Sequence, residues 1–167
     1  MGLYIVRRDA WYTERAVWGI AGVVIATGTV LGAFVQPWLV GIVTVTGLFA
    51  LVTAFTGFCP VSTVLTGLGV PTFLGTRRGG IYRMRTDRWY LERTIYLVVG
   101  TTQTVGSILA VVHHPGWLFF TGFVGAMSVG FALSGFCPVA NALWFLGLEP
   151  RLSPIAEEAR SELRRVA

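Results

Sequence analysis

Two stretches of the chain, Ala16 to Thr76 and Thr94 to Leu148, contain no Asp, Glu, Lys or Arg. Each is far longer than the roughly 20 apolar residues that cross a bilayer. Each also holds a proline-centred break, Gln36-Pro37-Trp38 in the first and His113-His114-Pro115-Gly116 in the second. Two crossings per stretch follow, and with them a multi-pass membrane protein. The composition agrees: 54% of residues are apolar and 13% charged, at a mean hydropathy of +0.68. A soluble domain carries about a quarter charged residues.

The net charge of +5 does not point to nucleic acid. All 13 basic residues are arginines, and they cluster in the segments that flank the apolar stretches. Such basic flanks set membrane topology, and no basic face remains to follow a phosphate backbone. By the positive-inside rule both termini and the middle segment are expected on the cytoplasmic side of the membrane. The first apolar stretch is too long for a signal-peptide core and lacks an Ala-x-Ala exit, so no cleavable signal is expected.

The chain repeats itself at a spacing of 78 residues. Trp11-Tyr12 and Glu14-Arg15 fall on Trp89-Tyr90 and Glu92-Arg93, and Gly57-Phe58-Cys59-Pro60-Val61 falls on Gly135-Phe136-Cys137-Pro138-Val139. From residue 9 to 69, 19 of 61 positions are identical to their counterparts. Apolar composition alone does not align Trp, Pro, Cys and Glu-Arg in one register, so an internal duplication is expected. The fold class expected is an all-α integral membrane protein of two tandem helical hairpins, four transmembrane helices in all. Its parts are a first unit over 1–76, a second over 77–150 and a tail over 151–167. The units share one orientation, which implies a pseudo-twofold axis along the membrane normal.

Within each unit the helices are expected at about Ala16–Val35 and Leu39–Gly57, and again at about Thr94–His113 and Trp117–Gly135. A short helix follows each second crossing, opened by Pro60 or Pro138 at its first position and closed near Gly69 or Gly147. Gly28-x-x-x-Gly32 and its counterpart Gly106-x-x-x-Ala110 have the small-residue spacing that lets membrane helices approach closely. In the tail, Ser153-Pro154, early Glu157 and Glu158, and late Arg164 and Arg165 suit a short amphipathic helix on the membrane surface.

A two-helix unit that closes on Thr-Gly-Phe-Cys-Pro and a Leu-x-x-Leu-Gly run resembles the YgaP-like transmembrane domain family. That family comprises small bacterial inner-membrane hairpins, often fused or adjacent to rhodanese sulfurtransferases, some of them homodimers. The resemblance runs from about Arg7 to Gly69 and again from about Arg85 to Gly147. It implies that the family cysteine maps to Cys59 and Cys137, that the chain is a fused form of a dimer, and that its setting is sulfur metabolism. The tail is too short for a rhodanese domain, so sulfur chemistry is implied by kinship alone.

The residues leave two uses for the cysteines open. A cysteine just before a helix N-terminus gains stabilisation of its thiolate, while apolar surroundings favour the neutral thiol. Arg15 and Arg93 begin the first helix of each unit at the level of the cysteines and are candidates to bind an oxyanion such as thiosulfate. On this view Cys59 and Cys137 relay persulfide or guide reduced sulfur species. Alternatively Cys59 and Cys137 are packing residues at a tight corner, and the protein is an accessory or scaffold subunit of a larger membrane complex. Expected partners are the lipid bilayer, a sulfurtransferase or larger complex, and a second copy of the chain. No cofactor is expected. His113-His114 lacks further ligands for a metal site, and nothing in the residues assigns a catalysed reaction.

Overall fold

A computed structural model describes residues 3–6 and 10–152. Its elements are α1 (Thr13–Phe34), a 3-10 turn (Pro37–Val40), α2 (Gly41–Thr56), α3 (Pro60–Gly67), β1 (Gly75–Arg78), β2 (Ile81–Met84), α4 (Leu91–Val112), α5 (Trp117–Ser134) and α6 (Pro138–Phe145). Four helical segments, Thr13–Phe34, Pro37–Thr56, Leu91–Val112 and Trp117–Ser134, are long and apolar enough to cross a membrane. Large side chains such as Phe34, Phe55, Phe119 and Phe123 are exposed along them. In an aqueous protein that belt would be anomalous; on these helices it is the surface that meets lipid. The expected tail helix lies outside the described residues.

The long helices form a ring in the order α1, α5, α4, α2. α1 packs most extensively on α5, and α2 on α4, while the contacts inside each hairpin are slighter. Helices distant in sequence are therefore the main packing partners. Two glycine notches permit this. A Cβ on Gly22 of α1 would lie 2.8 Å from the Gly125 carbonyl oxygen of α5, and one on Gly100 of α4 would lie 2.9 Å from the Gly47 carbonyl oxygen of α2. No side chain fits at either crossing. Without a strong hydrophobic drive between helices in lipid, such close backbone approach contributes to their association through van der Waals packing.

The expected small-residue motif sits elsewhere. Gly28 faces Ile42 and Val43, and Gly32 faces Val40, all in their own hairpin. Gly106 faces Thr121, and Ala110 is buried with Val40 and Leu118.

Two boundaries differ from the sequence-based expectation. α1 and α4 begin three residues earlier, at Thr13 and Leu91, because the charged pairs Glu14-Arg15 and Glu92-Arg93 are drawn inside. All four side chains are buried, at 1%, 7%, 1% and 6% exposure. The arginine-rich middle segment, for which no element was expected, forms an antiparallel hairpin pairing Gly75 with Met84 through Arg78 with Ile81. Its turn residues Gly79 and Gly80 both have positive φ, 57° and 81°. Two-residue hairpin turns favour that conformation, and Gly-Gly supplies it.

Candidate functional site

The site is built around the two Gly-Phe-Cys-Pro corners. Gly57 and Gly135 end α2 and α5 in the left-handed region, at φ 72° and 73°. The Gly57 carbonyl accepts from Met84 N (2.8 Å) and the Gly135 carbonyl from Val6 N (3.1 Å). Phe58 and Phe136 form isolated β-bridges with Arg83 and Ile5. Pro60 and Pro138 then open α3 and α6, leaving Cys59 and Cys137 as the N-caps. Each sulfur turns back onto its helix: Cys59 Sγ accepts from Ser62 N and Cys137 Sγ from Ala140 N, both at 3.5 Å. Both cysteines are free; Cys59 is buried and Cys137 half-buried. At Cys137 burial outweighs the backbone N–H groups that favour the thiolate, and the thiol is pushed up from its ordinary range.

Arg15 and Arg93 lie in the first turns of α1 and α4, where they hold the ends of the opposite hairpin's helices. Arg15 Nε donates to the Ala132 carbonyl at 2.7 Å, and its terminal nitrogens reach Leu133 O and Ala10 O. Arg93 Nε donates to the Ala54 carbonyl at 2.7 Å, with Thr86 O and Arg88 O on its other side. Trp11 and Trp89 stack under the two guanidinium groups, 4.4 and 4.0 Å from ring centroid to Cζ. A cation at a helix C-terminus also meets the negative end of the helix dipole.

Glu14 and Glu92 were not among the expected site residues, yet they organise the loops behind the corners. Glu14 accepts from Thr72 Oγ1, Phe73 N, Leu74 N and Tyr82 OH. Glu92 accepts from Arg151 N, Leu152 N and Tyr4 OH. Among the described residues, such a set satisfies each buried carboxylate without a direct ion pair. The signal was present in the sequence as the Tyr4/Tyr82 and Leu74/Leu152 identities at the same 78-residue spacing.

Each cysteine lines a cleft that opens on the outer face of the bundle, past Ile20, Phe49 and Val61 beside Cys59 and past Phe123 and Val139 beside Cys137. Cys59 faces a space of about 150 Å³ with Trp18, Thr53, Tyr96 and Gln103. Cys137 faces one of about 130 Å³ with Trp18, Ile95, Val99 and Phe131. Trp18 of α1 and Tyr96 of α4 meet at a centroid distance of 4.6 Å. The candidate thiols thus line two mostly apolar clefts, whereas the arginine forks are directed at backbone carbonyls. His113 and His114 lie at the opposite ends of the helices, where His113 Nδ1 accepts from Trp117 Nε1 at 3.3 Å and His114 Nδ1 from Gly116 N at 2.9 Å.

A buried Glu-Arg helix start, a second apolar helix, a left-handed glycine and a Cys-Pro corner together define the first hairpin. Residues 12–72 match the family described as inner membrane protein YgaP-like, transmembrane domain. The YgaP-like segment holds Arg15, Cys59 and the whole first corner, and it ends at the loop that Glu14 gathers. No curated protein and no solved structure matches the chain.

Proposed function

We propose that the protein handles reduced sulfur at the bacterial inner membrane, with Cys59 and Cys137 as the sulfur-accepting thiols at its cytoplasmic side. The observation that carries this is the placement of each thiol between a helix N-terminus and an apolar cleft between the helices. A thiol there meets guests that enter the bundle while remaining one short helix from its surface. In a relay step the deprotonated cysteine attacks the outer sulfur of a persulfide donor, R–S–SH. A Cys–S–SH bond forms, the donor S–S bond breaks, and R–S⁻ leaves with the electron pair; no external oxidant is needed. Passage of neutral reduced sulfur through the bundle is the other form of the same activity.

Under this proposal 1–76 and 77–150 are duplicated units about a pseudo-twofold axis, and the chain is the fused counterpart of a hairpin dimer. The matching bonds of Arg15 and Arg93, of Glu14 and Glu92, and of the two cysteines support that reading. Arg15 and Arg93 act as positioning residues. Holding an anion as well would require them to release helix-end carbonyls.

The scaffold reading is favoured by one specific feature, the use of both sulfurs as N-cap acceptors. Serine is a good N-cap, so the Cys59→Ser/Cys137→Ser double variant keeps the corner and removes the nucleophile. Loss of persulfide formation and of sulfide or thiosulfate handling by this folded variant supports the relay. Unchanged handling supports the scaffold, docked to a sulfurtransferase or a larger membrane complex.

A further inference from the structure

We infer that the cleft beside Cys59 binds a small uncharged sulfane from the bilayer, a chain of divalent sulfur ending in alkyl groups or hydrogen, through a hydrogen bond donated by Tyr96. The choice of a sulfur compound rests on the proposed function; the cleft and its donor are features of the fold. The cleft holds about 150 Å³, a volume that takes a benzene-sized guest. It opens past Ile20 of α1, Phe49 of α2 and Val61 of α3, all exposed on the outer face. On membrane-spanning helices that face meets lipid, so a guest reaches the cleft from the bilayer. The lining is mostly carbon, which penalises a charged guest.

Tyr96 supplies the polar group. It lies in the second turn of α4 and is 5% exposed. Its hydroxyl has no hydrogen-bond partner among the described residues and, unlike the enclosed Gln103 amide oxygen, keeps surface in the cleft. The aliphatic hydroxyls of the lining are spent on their own helices: Thr46 Oγ1 donates to Ile42 O, Thr53 Oγ1 to Phe49 O and Ser128 Oγ to Val124 O. No hydrogen bond joins Tyr96 to Cys59, whose sulfur accepts from Ser62 N. Cys59 is nevertheless the titratable neighbour that acts most strongly on the phenol. A buried tyrosine hydroxyl ordinarily finds a partner, and one left without a partner beside a thiol asks for an explanation.

The phenol is also a departure from the repeat. The residue 78 positions earlier is Trp18, which borders both clefts, whereas Tyr96 lines that of Cys59 alone. The hydroxyl therefore serves one cysteine of the two. In the relay step the Cys59 thiolate attacks the outer sulfur of R–S–SH. The new S–S bond forms, the donor S–S bond breaks, and R–S⁻ leaves with the electron pair. A sulfur anion leaving into an apolar cleft is costly without a donor, and a hydrogen bond to a charged acceptor is of the stronger kind. Tyr96 O–H is placed to give it.

The test uses the full chain in lipid nanodiscs, with the tyrosine ring carbon that bears oxygen labelled with carbon-13. Dimethyl trisulfide is titrated into the Cys59→Ser/Cys137→Ser variant, where no thiol exchange can occur, and n-pentane is the guest of like shape without an acceptor. The expected result is a saturable shift of Tyr96 with dimethyl trisulfide. Tyr4, Tyr82 and Tyr90, whose hydroxyls are already bonded, should stay still. Read at the guest's methyl groups, Tyr96→Phe should weaken dimethyl trisulfide binding about two- to tenfold and leave pentane binding unchanged. Its melting temperature should match the parent, because the hydroxyl bonds nothing in the fold. With the cysteines present and a lipid-soluble hydropersulfide as donor, Tyr96→Phe should slow sulfur gain at Cys59 about tenfold and leave Cys137 unchanged. Saturable, Tyr96-dependent binding without any sulfur gain would support the site and contradict the relay. Sulfur gain at Cys59 that ignores Tyr96→Phe would leave the relay standing and overturn the inference. It would be overturned equally by no saturable Tyr96 shift, by a lower melting temperature of Tyr96→Phe, or by binding that Trp18→Phe removes and Tyr96→Phe does not.

Discussion

Arg15 reaches across from the first turn of α1 to the Ala132 carbonyl in the last turn of α5, 2.7 Å away. Arg93 does the same from α4 to Ala54 at the end of α2, at the same distance. The helix that leads into each cysteine corner is thus held by an arginine of the other hairpin. The geometry of each corner therefore depends on a helix distant from it in sequence.

Arg15→Met removes a buried cation and strands the Ala132 and Leu133 carbonyls. Hydrogen bonds to charged groups contribute about 1.5–3 kcal/mol each, and a loss of about 3 kcal/mol is expected from this variant. Arg15→Lys should recover less than half of that, since a single ammonium does not reproduce the planar fork. Thermal unfolding in detergent reads both. Arg93→Met should behave alike.

Gly22→Ala should destabilise the bundle, because its Cβ would lie 2.7 Å from Val129 N and 2.8 Å from Gly125 O, both backbone atoms of α5. Gly130→Ala on the same helix pair meets nothing within 4 Å and should be neutral or slightly stabilising. A drop of about 2 kcal/mol for the first is consistent with overpacking against backbone. Equal melting temperatures for the two variants would argue against the glycine notch as the basis of the cross-hairpin pairing.

Tyr82 sits in β2 with its hydroxyl 3.0 Å from Glu14 Oε1. Burial, then the Glu14 charge, push its phenol well above the ordinary value of 10.0. Tyr4, bonded to Glu92, is raised for the same causes. A raised folded-state value means that the contribution is fully present below the unfolded pKa of 10.0. It is lost progressively as pH rises beyond that point, where only the unfolded phenols ionise. Stability should be flat in these two groups up to pH 10 and fall above it. Phenolate absorbance from Tyr4 and Tyr82 should appear only together with unfolding.

Cys59→Ala removes the acceptor of Ser62 N, whereas Cys59→Ser supplies a better one. The alanine variant should lose about 1 kcal/mol and the serine variant should not. At Cys137 the raised thiol should delay alkylation, so that its rate keeps climbing at pH values where free cysteine has levelled off.

Much of this architecture was legible from residue order. The two charge-free stretches announce four crossings, and Gly-Phe-Cys-Pro announces a left-handed stop followed by a new helix. The cross-hairpin pairing was not legible, because Gly22 and its partner Gly125 are distant in sequence and lie in uniformly apolar surroundings. The β-hairpin was missed because arginines at Arg77, Arg78 and Arg83 read as topological flanks. The Gly79-Gly80 pair between them was the turn signal. Gln103 escaped notice because an uncharged amide does not interrupt an apolar stretch. Its place opposite Thr121 in α5 is visible only in the fold.

The central claim is that the corner cysteines accept sulfur. Its most direct test is mass spectrometry of Cys59 and Cys137 in intact membranes after exposure to a low-molecular-weight persulfide, with thiol labelling followed across pH. The account predicts that each cysteine gains one sulfur atom, that a reductant reverses the gain, and that the serine double variant shows none. Thiols that label slowly at every pH and gain no sulfur would contradict it, and would make the corners packing elements of a scaffold.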